Sequence, residues 1–362
     1  MADYSNLVKA LLCRGEPQRV PLFEISIDRS IKRRYLGRDV DSQAAEVEFY
    51  LRAGYDFVPL LIGMRERMQG TRSGVLSSRP GEASVFRPLE ARYNPFQEGT
   101  TTRLWAEEGR GVIYDRASFD NFDWPDPASF GYATLESLGR LLPENARVLV
   151  VVGGIFTCSW MLMGLEAFCI AAATGSELVP RLIQRVGEIQ CQVVENVLQY
   201  GCVGAVCMPD DLGCNTGLLV HPRWLREHVF PWDQRIGQRV RARGLPYIYH
   251  SDGRIAGVID DLIACGFQAL HPCERASVDI DALKRRYAGR LCLCGNIDLD
   301  STLTLGTPAD VEAEVKARLR TVAPGGGYCC GASNSVPEYV PFENYLAMIE
   351  TVKKFGTYPI RV

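Results

Sequence analysis

The 362-residue chain is predicted to fold as a (β/α)8 barrel with an antiparallel insertion between its second and third strands. Three observations predict this. Short β-rich runs alternate with helical stretches, the pattern of parallel strands joined by helical crossovers. The run Val148 to Gly153 is apolar throughout, as a strand covered on both faces must be. Helical stretches stop at glycines, at Gly201, Gly244 and Gly266, where a left-handed residue ends a helix without steric cost.

The eight runs follow in order. Val20 to Ser26 is the first strand and Tyr55 to Leu61 the second. Val148 to Gly153 is the third, Cys202 to Met208 the fourth, Pro246 to His250 the fifth and Phe267 to His271 the sixth. Leu291 to Asn296 is the seventh and Tyr328 to Ala332 the eighth. Between them, helices are predicted over Leu178 to Tyr200, Trp224 to Arg243, Ile255 to Cys265 and Pro308 to Val322; the last opens with Thr307 as N-cap and proline at the first helical position. Roughly residues 71–124 break the alternation, with β-like stretches at Val85 to Tyr93, Thr101 to Ala106 and Gly111 to Tyr114. They are read as an antiparallel insertion within a single domain spanning residues 1–362.

Composition excludes several classes. Apolar residues are 47% and charged residues 23% of the chain, values of an ordinary globular protein with a large core. A net charge of -3 with scattered basic residues offers nucleic acid or anionic membrane no footing. No apolar run reaches about 18 residues, so no membrane span is expected. The start, Met1-Ala2-Asp3-Tyr4, has no basic segment leading into an apolar one. The 13 cysteines follow no framework spacing, and many sit inside strand-like runs (Cys202, Cys207, Cys292, Cys294). Reduced thiols in a cytoplasm are expected.

In such barrels the chemistry lies on the loops after the C-terminal strand ends. Here those places carry Glu24 and Asp28, Gly153-Gly154, Asp210-Asp211, His250 and Asp252, Glu274, Asn296 and Asp298, and Asn334. Each alone could be a helix cap or a turn; together they line one rim. His250 and Asp252 are the sharpest pair. Two residues apart on a strand end they face the same side, and so can meet one metal ion or form one acid–base dyad. Asp210-Asp211 offers a second pair of carboxylates for metal binding or for a raised pKa. His221 and His228 lie in or near a helix and read as structural, whereas His271 ends a strand and could face the mouth. Trp160 and Phe156, with Phe96, Trp105 and Tyr114 from the insertion, are candidate pocket aromatics. Gly325-Gly326-Gly327 precedes the last strand, the wrong end for a phosphate loop, and neither a GxGxxG opening a helix nor a GxSxG elbow is present.

With these residues in place the chain resembles the uroporphyrinogen decarboxylase superfamily, closest to its corrinoid-dependent methyltransferase-like members. The resemblance rests on His250-Ser-Asp-Gly253, Gly295-Asn296-Ile297-Asp298, Leu305-Gly306-Thr307-Pro308, and Pro341-Phe342-Glu343-Asn344 with Ala347-Met348. It covers the chain from about Val20 to its end, most specifically from Val148 onward. True decarboxylases of the superfamily carry an Arg-Gln-Ala-Gly-Arg type loop after the first strand to hold porphyrinogen carboxylates. Here that place reads Glu24-Ile-Ser-Ile-Asp28. Four carboxylate arms need dense positive charge, and this rim is acidic. The superfamily's coenzyme M methyltransferases bind zinc through His-x-Cys and a later cysteine; the matching positions here are His250, Asp252 and Asn334. Both thiolates are replaced, which leaves an oxygen-rich donor set.

The resemblance thus implies a methyltransferase that demethylates a small methoxylated or methylamine-like compound and passes the methyl group to the cobalt of a corrinoid (cobalamin) on a partner protein. His250, Asp252, Asp210 and Asp211 would be catalytic. Glu24, Asp28, Glu274, Asn296, Asn334 and Trp160 would bind substrate, and His250 with Asp252 would hold a metal such as zinc. Superfamily members are often homodimers. The rival readings are a decarboxylase or other lyase acting on a small carboxylic acid with the same rim, and a binding module without chemistry.

Overall fold

The computed structural model describes residues 2–64, 86–91, 101–106 and 111–362, with only the backbone at 86–91 and 101–106. Eleven strands occur among them. β1 is Phe57–Leu61, β2 Phe86–Ala91, β3 Thr101–Ala106, β4 Arg147–Val151, β5 Val203–Pro209, β6 Gly213–Cys214 and β7 Gly217–Leu218. β8 is Tyr247–His250, β9 Ala269–His271, β10 Cys292–Cys294 and β11 Tyr328–Cys329. Seven form one curled sheet in the order β1-β4-β5-β8-β9-β10-β11, and every neighbouring pair is parallel. Helices return the chain between these strands, so all seven C-terminal ends point the same way.

The core follows from the sequence pattern. Val148, Leu149 and Val150 of β4 have no exposed surface, and every residue of β5 is buried. The long helix Leu178–Val197 buries Val179, Leu182, Ile183, Val186, Ile189, Val193 and Val194 in the core at helical spacing. Fully burying each such side chain contributes about 1.5–3 kcal/mol. Thr307 caps the helix Pro308–Thr321 in a reciprocal capping box with Asp310. Gly244 and Gly266 follow their helices with φ of +70° and +105°. The expected helix from Trp224 to Arg243 is instead two, Pro222–His228 and Phe230–Ala242, broken at Val229. Pro231 lacks the N–H that a continuous helix would need there.

The first expected strand is not a regular strand. Its extended chain lies beside β11 through an isolated parallel bridge from Leu22 to Cys330, with a second from Ile27 to Val336. Cys330 donates its N–H to the Pro21 carbonyl, and Phe23 donates its N–H to the Cys330 carbonyl. The next ladder hydrogen bond is diverted, because Ala332 donates its N–H to the Glu24 carboxylate at 2.6 Å. A side chain takes the place of a backbone acceptor, and regular pairing stops. Seven strands plus this segment therefore stand where eight strands were expected. The segment needs a close approach, since a Cβ on Gly331 would overlap the Phe23 carbonyl oxygen. Gly331→Ala should destabilise the fold by about 1–3 kcal/mol through forced separation of the two chains; an unchanged urea midpoint would show that the gap gives freely.

Between β1 and β4, β2 and β3 pair antiparallel from Phe86↔Ala106 to Ala91↔Thr101. Much of the expected insertion, Phe96 included, lies outside the described residues. Gly111 to Tyr114, expected as β-like, forms no strand; a short helix, Arg116–Asp120, follows under an Asp115 capping box. No single helix among the described residues is long and apolar enough to cross a membrane. Only Ile155–Met163 and Leu165–Ala173, bent by 105° at Gly164, pass that test as a pair. The first of these is core, with every residue but Trp160 buried.

Candidate active site

Strand alternation decides which rim groups meet. In β8, Tyr247 and Tyr249 turn to one face, where both pack against Phe267 with ring centroids 3.8 Å and 4.7 Å away. His250 turns to the other face. Parallel register places it directly opposite His271 at the end of β9. Their Nδ1 atoms are 2.7 Å apart and their rings stack at 4.9 Å. One Nδ1 must carry the hydrogen and the other accept it. Burial, reinforced by His250, holds the pKa of His271 well below the usual histidine range, so His271 is neutral. Its Nε2 is buried without a partner. When His250 supplies the shared hydrogen, its Nε2 presents a lone pair, the form a metal requires. When His250 carries hydrogens on both nitrogens, its Nδ1–H donates to the neutral His271 and its Nε2–H faces the carboxylates, the form that can act as an acid.

That Nε2 lies 3.8 Å from Asp211 Oδ1 and 3.9 Å from Asp252 Oδ1. Asp252 donates its N–H to Asp211 Oδ1 at 3.0 Å, and its Oδ2 accepts from Asn334 Nδ2 at 2.9 Å. Asn334 is fixed in turn by accepting the Ser335 N–H at 2.7 Å. Asp252 Oδ1 is buried without a hydrogen-bond donor. Burial raises the Asp252 pKa, His250 opposes this, and Asp211 adds to it. Asp211 is held by Thr157, whose hydroxyl accepts the Asp211 N–H at 2.9 Å. Ser251 accepts the Leu212 N–H at 3.1 Å and ties the β5 and β8 loops together.

Asp210 does different work. Adjacent residues leave a strand end on opposite sides, and Asp210 turns to the helix Ile155–Met163. It accepts the Phe156 N–H at 3.0 Å and the Thr157 N–H at 2.6 Å. The helix has Gly154 at its N-cap and no cap side chain of its own. Asp210 supplies the missing acceptor from the neighbouring strand. This explains Gly154, since a Cβ there would overlap the Pro209 carbonyl oxygen and the Asp210 carboxylate. Complete burial pushes Asp210 up to about 6 against the pull of the two helix amides.

The remaining candidates divide similarly. Asp28 caps the helix Arg29–Leu36, accepting the Ser30 N–H at 2.8 Å and the Ser30 hydroxyl at 2.6 Å. Asp298 caps the π-helical turn Leu299–Thr304. Glu274 sits behind the site, where its carboxylate accepts the Gly253 N–H at 3.1 Å and the Ser277 hydroxyl at 2.7 Å. Asn296 is buried and donates to the Cys273 carbonyl at 2.6 Å, with its Oδ1 unpartnered. Glu24 is fully buried; burial drives its pKa well above the carboxylate range, and only the Ala332 amide opposes this. Trp160 is partly buried on the core side of its helix, with its indole N–H unpartnered. The structure brings together Asp211, His250, Asp252 and Asn334, with Glu274 behind them. It assigns Asp28 and Asp210 to helix caps and Glu24 to the strand gap.

His271 and Thr157 are the residues that motif reading left out of the site. The signal for His271 was present, since it ends the strand that follows His250 in the sheet. His271→Phe should lower kcat about tenfold or more with little change in KM, because the His250 tautomer loses its partner. The Phe ring keeps the contact His271 makes with Phe23 at 5.3 Å. An unaltered pH–rate profile for this variant would remove His271 from any role in setting His250.

Asp211, His250 and Asp252 present three donor atoms within 4.8 Å of one another. Donors about 2.1 Å from a tetrahedral ion stand about 3.4 Å apart, so a small contraction would seat a divalent cation. The unpartnered Asp252 Oδ1 fits that use.

A profile of the family Uroporphyrinogen decarboxylase (URO-D) matches residues 110–355, more than half of the chain. The chain belongs to the URO-D family. It is 31% identical over 132 residues to "Uroporphyrinogen decarboxylase" of Anaeromyxobacter dehalogenans (strain 2CP-C), covering 36% of each protein. It is 29% identical over 133 residues to the protein of the same description from Anaeromyxobacter sp. (strain Fw109-5), again covering 36% of each. The match thus spans only about a third of the length of these URO-D relatives. Among solved structures, a methyltransferase from Methanosarcina mazei shares the fold, with a TM-score of 0.69 over 98% of this chain and 99% of that one, at 15% identity. This URO-D chain therefore has the curled parallel sheet of its family, with a cluster of one imidazole and two carboxylates where its strands end.

Proposed function

We propose that the protein is a methyltransferase that removes the methyl group of a small methoxylated or methylamine-like compound and passes it to the cobalt of a corrinoid carried by a partner protein. The observation that supports this is the grouping of Asp211, His250 and Asp252, with a buried carboxylate oxygen left unpartnered, in a URO-D fold that carries no thiolate at these places. Loss of a methyl cation leaves the substrate's oxygen or nitrogen with an electron pair that must be protonated. His250 would supply that proton from Nε2 as an imidazolium whose Nδ1–H donates to the neutral His271, and the neutral imidazole remains after the transfer. Asp211 and Asp252 stabilise the charged imidazole and orient the leaving atom, and Asn334 fixes Asp252. In the other form, with the Nε2 lone pair free, the same three side chains would hold a divalent ion such as zinc, which would supply Lewis acidity at the leaving atom in place of the proton. The corrinoid would supply the cobalt nucleophile.

The family itself favours a second reading, decarboxylation of a small carboxylic acid by the same residues. A porphyrinogen with four carboxylate arms fits poorly against Asp211, Asp252 and Glu274, whose carboxylates would repel it. Incubating the protein with reduced corrinoid and a panel of methoxylated and methylated amine compounds, and following the cobalt spectrum, separates the readings. Methyl-cobalt formation is expected. Carbon dioxide release from small acids with no methyl-cobalt from any donor would replace the proposal with the lyase.

A further inference from the structure

A second group of metal-ligating side chains, sharing no residue with the first, lies on β10 and β11. Cys292 and Cys294 are two apart in β10 and face one side of it. The register of β10 with β11 sets Cys294 opposite Cys329. All three residues are fully buried. Their sulfurs lie within 4.8 Å of one another, and the Cys292 and Cys329 sulfurs are 3.9 Å apart. No disulfide joins any of them.

We propose that Cys292, Cys294 and Cys329 form a buried binding site for a thiophilic d10 cation, zinc or copper(I). Metal–sulfur bonds of about 2.3 Å hold two sulfurs about 3.8 Å apart around a tetrahedral ion, close to the Cys292–Cys329 spacing. Thiolates of this softness select zinc and copper(I) over magnesium or calcium. Binding releases the thiol protons as the sulfur–metal bonds form, so the site takes up metal with proton release and no change of oxidation state. The charge balance suits it. Three thiolates around zinc leave one negative charge, and the ammonium of Lys284 is near enough to act on Cys292. Lys284 is held there by donating to the Gly326 carbonyl. The three sulfurs form the donor set, and zinc would need a fourth ligand from outside it. With three sulfurs alone the site suits copper(I). The cluster joins two neighbouring strands of the sheet, so a bound ion would link β10 to β11 directly.

The test uses the full-length protein produced separately in zinc- and copper-supplemented medium, with metal per chain measured by mass spectrometry. A His250→Ala/Asp252→Ala variant removes the other donor cluster and should still carry about one ion per chain. Cys294→Ala should lose it, and Cys330→Ala, which alters a neighbouring thiol outside the cluster, should keep it. X-ray absorption on the metal in the His250→Ala/Asp252→Ala protein needs no cysteine change and should show a sulfur-dominated shell. Zinc in one preparation and copper in the other distinguish the two ions. A metal-free protein from both media, a shell of nitrogen and oxygen only, or a Cys292–Cys329 disulfide found by mass mapping would each overturn the proposal.

Discussion

Replacing His250 with alanine is expected to lower methyl-donor turnover by about 10²–10⁴-fold, the usual contribution of a positioned general acid. The expectation follows from where the ring points. Its Nε2 stands 3.8 Å and 3.9 Å from the two carboxylates, and its Nδ1 is occupied by His271. Nε2 thus faces both Asp211 and Asp252, the place from which a proton would reach the leaving atom. The fold should survive with a modest cost. His271 loses the partner of its buried Nδ1, which costs about 1–3 kcal/mol, small beside the burial of the remaining core. Circular dichroism and a urea midpoint check the fold, and the rate of cobalt methylation checks the chemistry. A variant that turns over at the wild-type rate would remove His250 from the mechanism and with it the proposed acid.

Asp210 and Asp211, adjacent in sequence, are expected to respond in opposite ways. Asp211→Asn should lower turnover by about 10–100-fold and leave the unfolding midpoint nearly unchanged, because the group is partly exposed and serves His250 and Asp252. Asp210→Ala should instead cost about 2 kcal/mol or more of stability, since two amides at a buried helix start lose their acceptor. The linkage is also legible in pH. Asp210 binds its proton more tightly in the folded chain, at about 6 against an ordinary 3.8. The native state therefore holds more proton than the unfolded one between those values. The associated stability is full below pH 3.8 and is lost as pH rises through about 6. The shift corresponds to about 3 kcal/mol. Asp210→Asn, which cannot titrate, should flatten that decline while keeping one acceptor for the helix. Denaturant titrations across this range test it; a wild-type slope retained in Asp210→Asn would assign the decline to another buried carboxyl, such as Asp233, which has both oxygens unpartnered.

Reading the strand ends located the site region and mixed two kinds of acidic residue within it. A carboxylate after a strand is a good helix cap and a good ligand for the same reason, a short side chain with strong acceptor oxygens. Asp28, Asp298 and Asp210 turned out to be caps, whereas Asp211 and Asp252 converge on His250. Local sequence does not distinguish these cases, because the difference lies in which side of the strand each residue leaves. The family resemblance matched Asn334 to a ligand position alongside His250 and Asp252; the hydrogen bond from Asn334 to Asp252, across 82 residues of chain, came from the structure.

The order of hydrophobic runs, the glycine stops, the Thr307 cap and the polar strand ends were determined by the sequence itself, because each depends on residues within a few positions of one another. Strand number and site membership were decided only by tertiary structure. The Glu24 carboxylate interrupts the first strand by capturing the N–H of Ala332, more than 300 residues away. His271 joins the site because parallel register sets it opposite His250. Asp210 leaves the site because a glycine-capped helix from the neighbouring strand needs its acceptor. In each case a polar group buried on folding must find its partner in space, and the chain provides that partner far away in sequence.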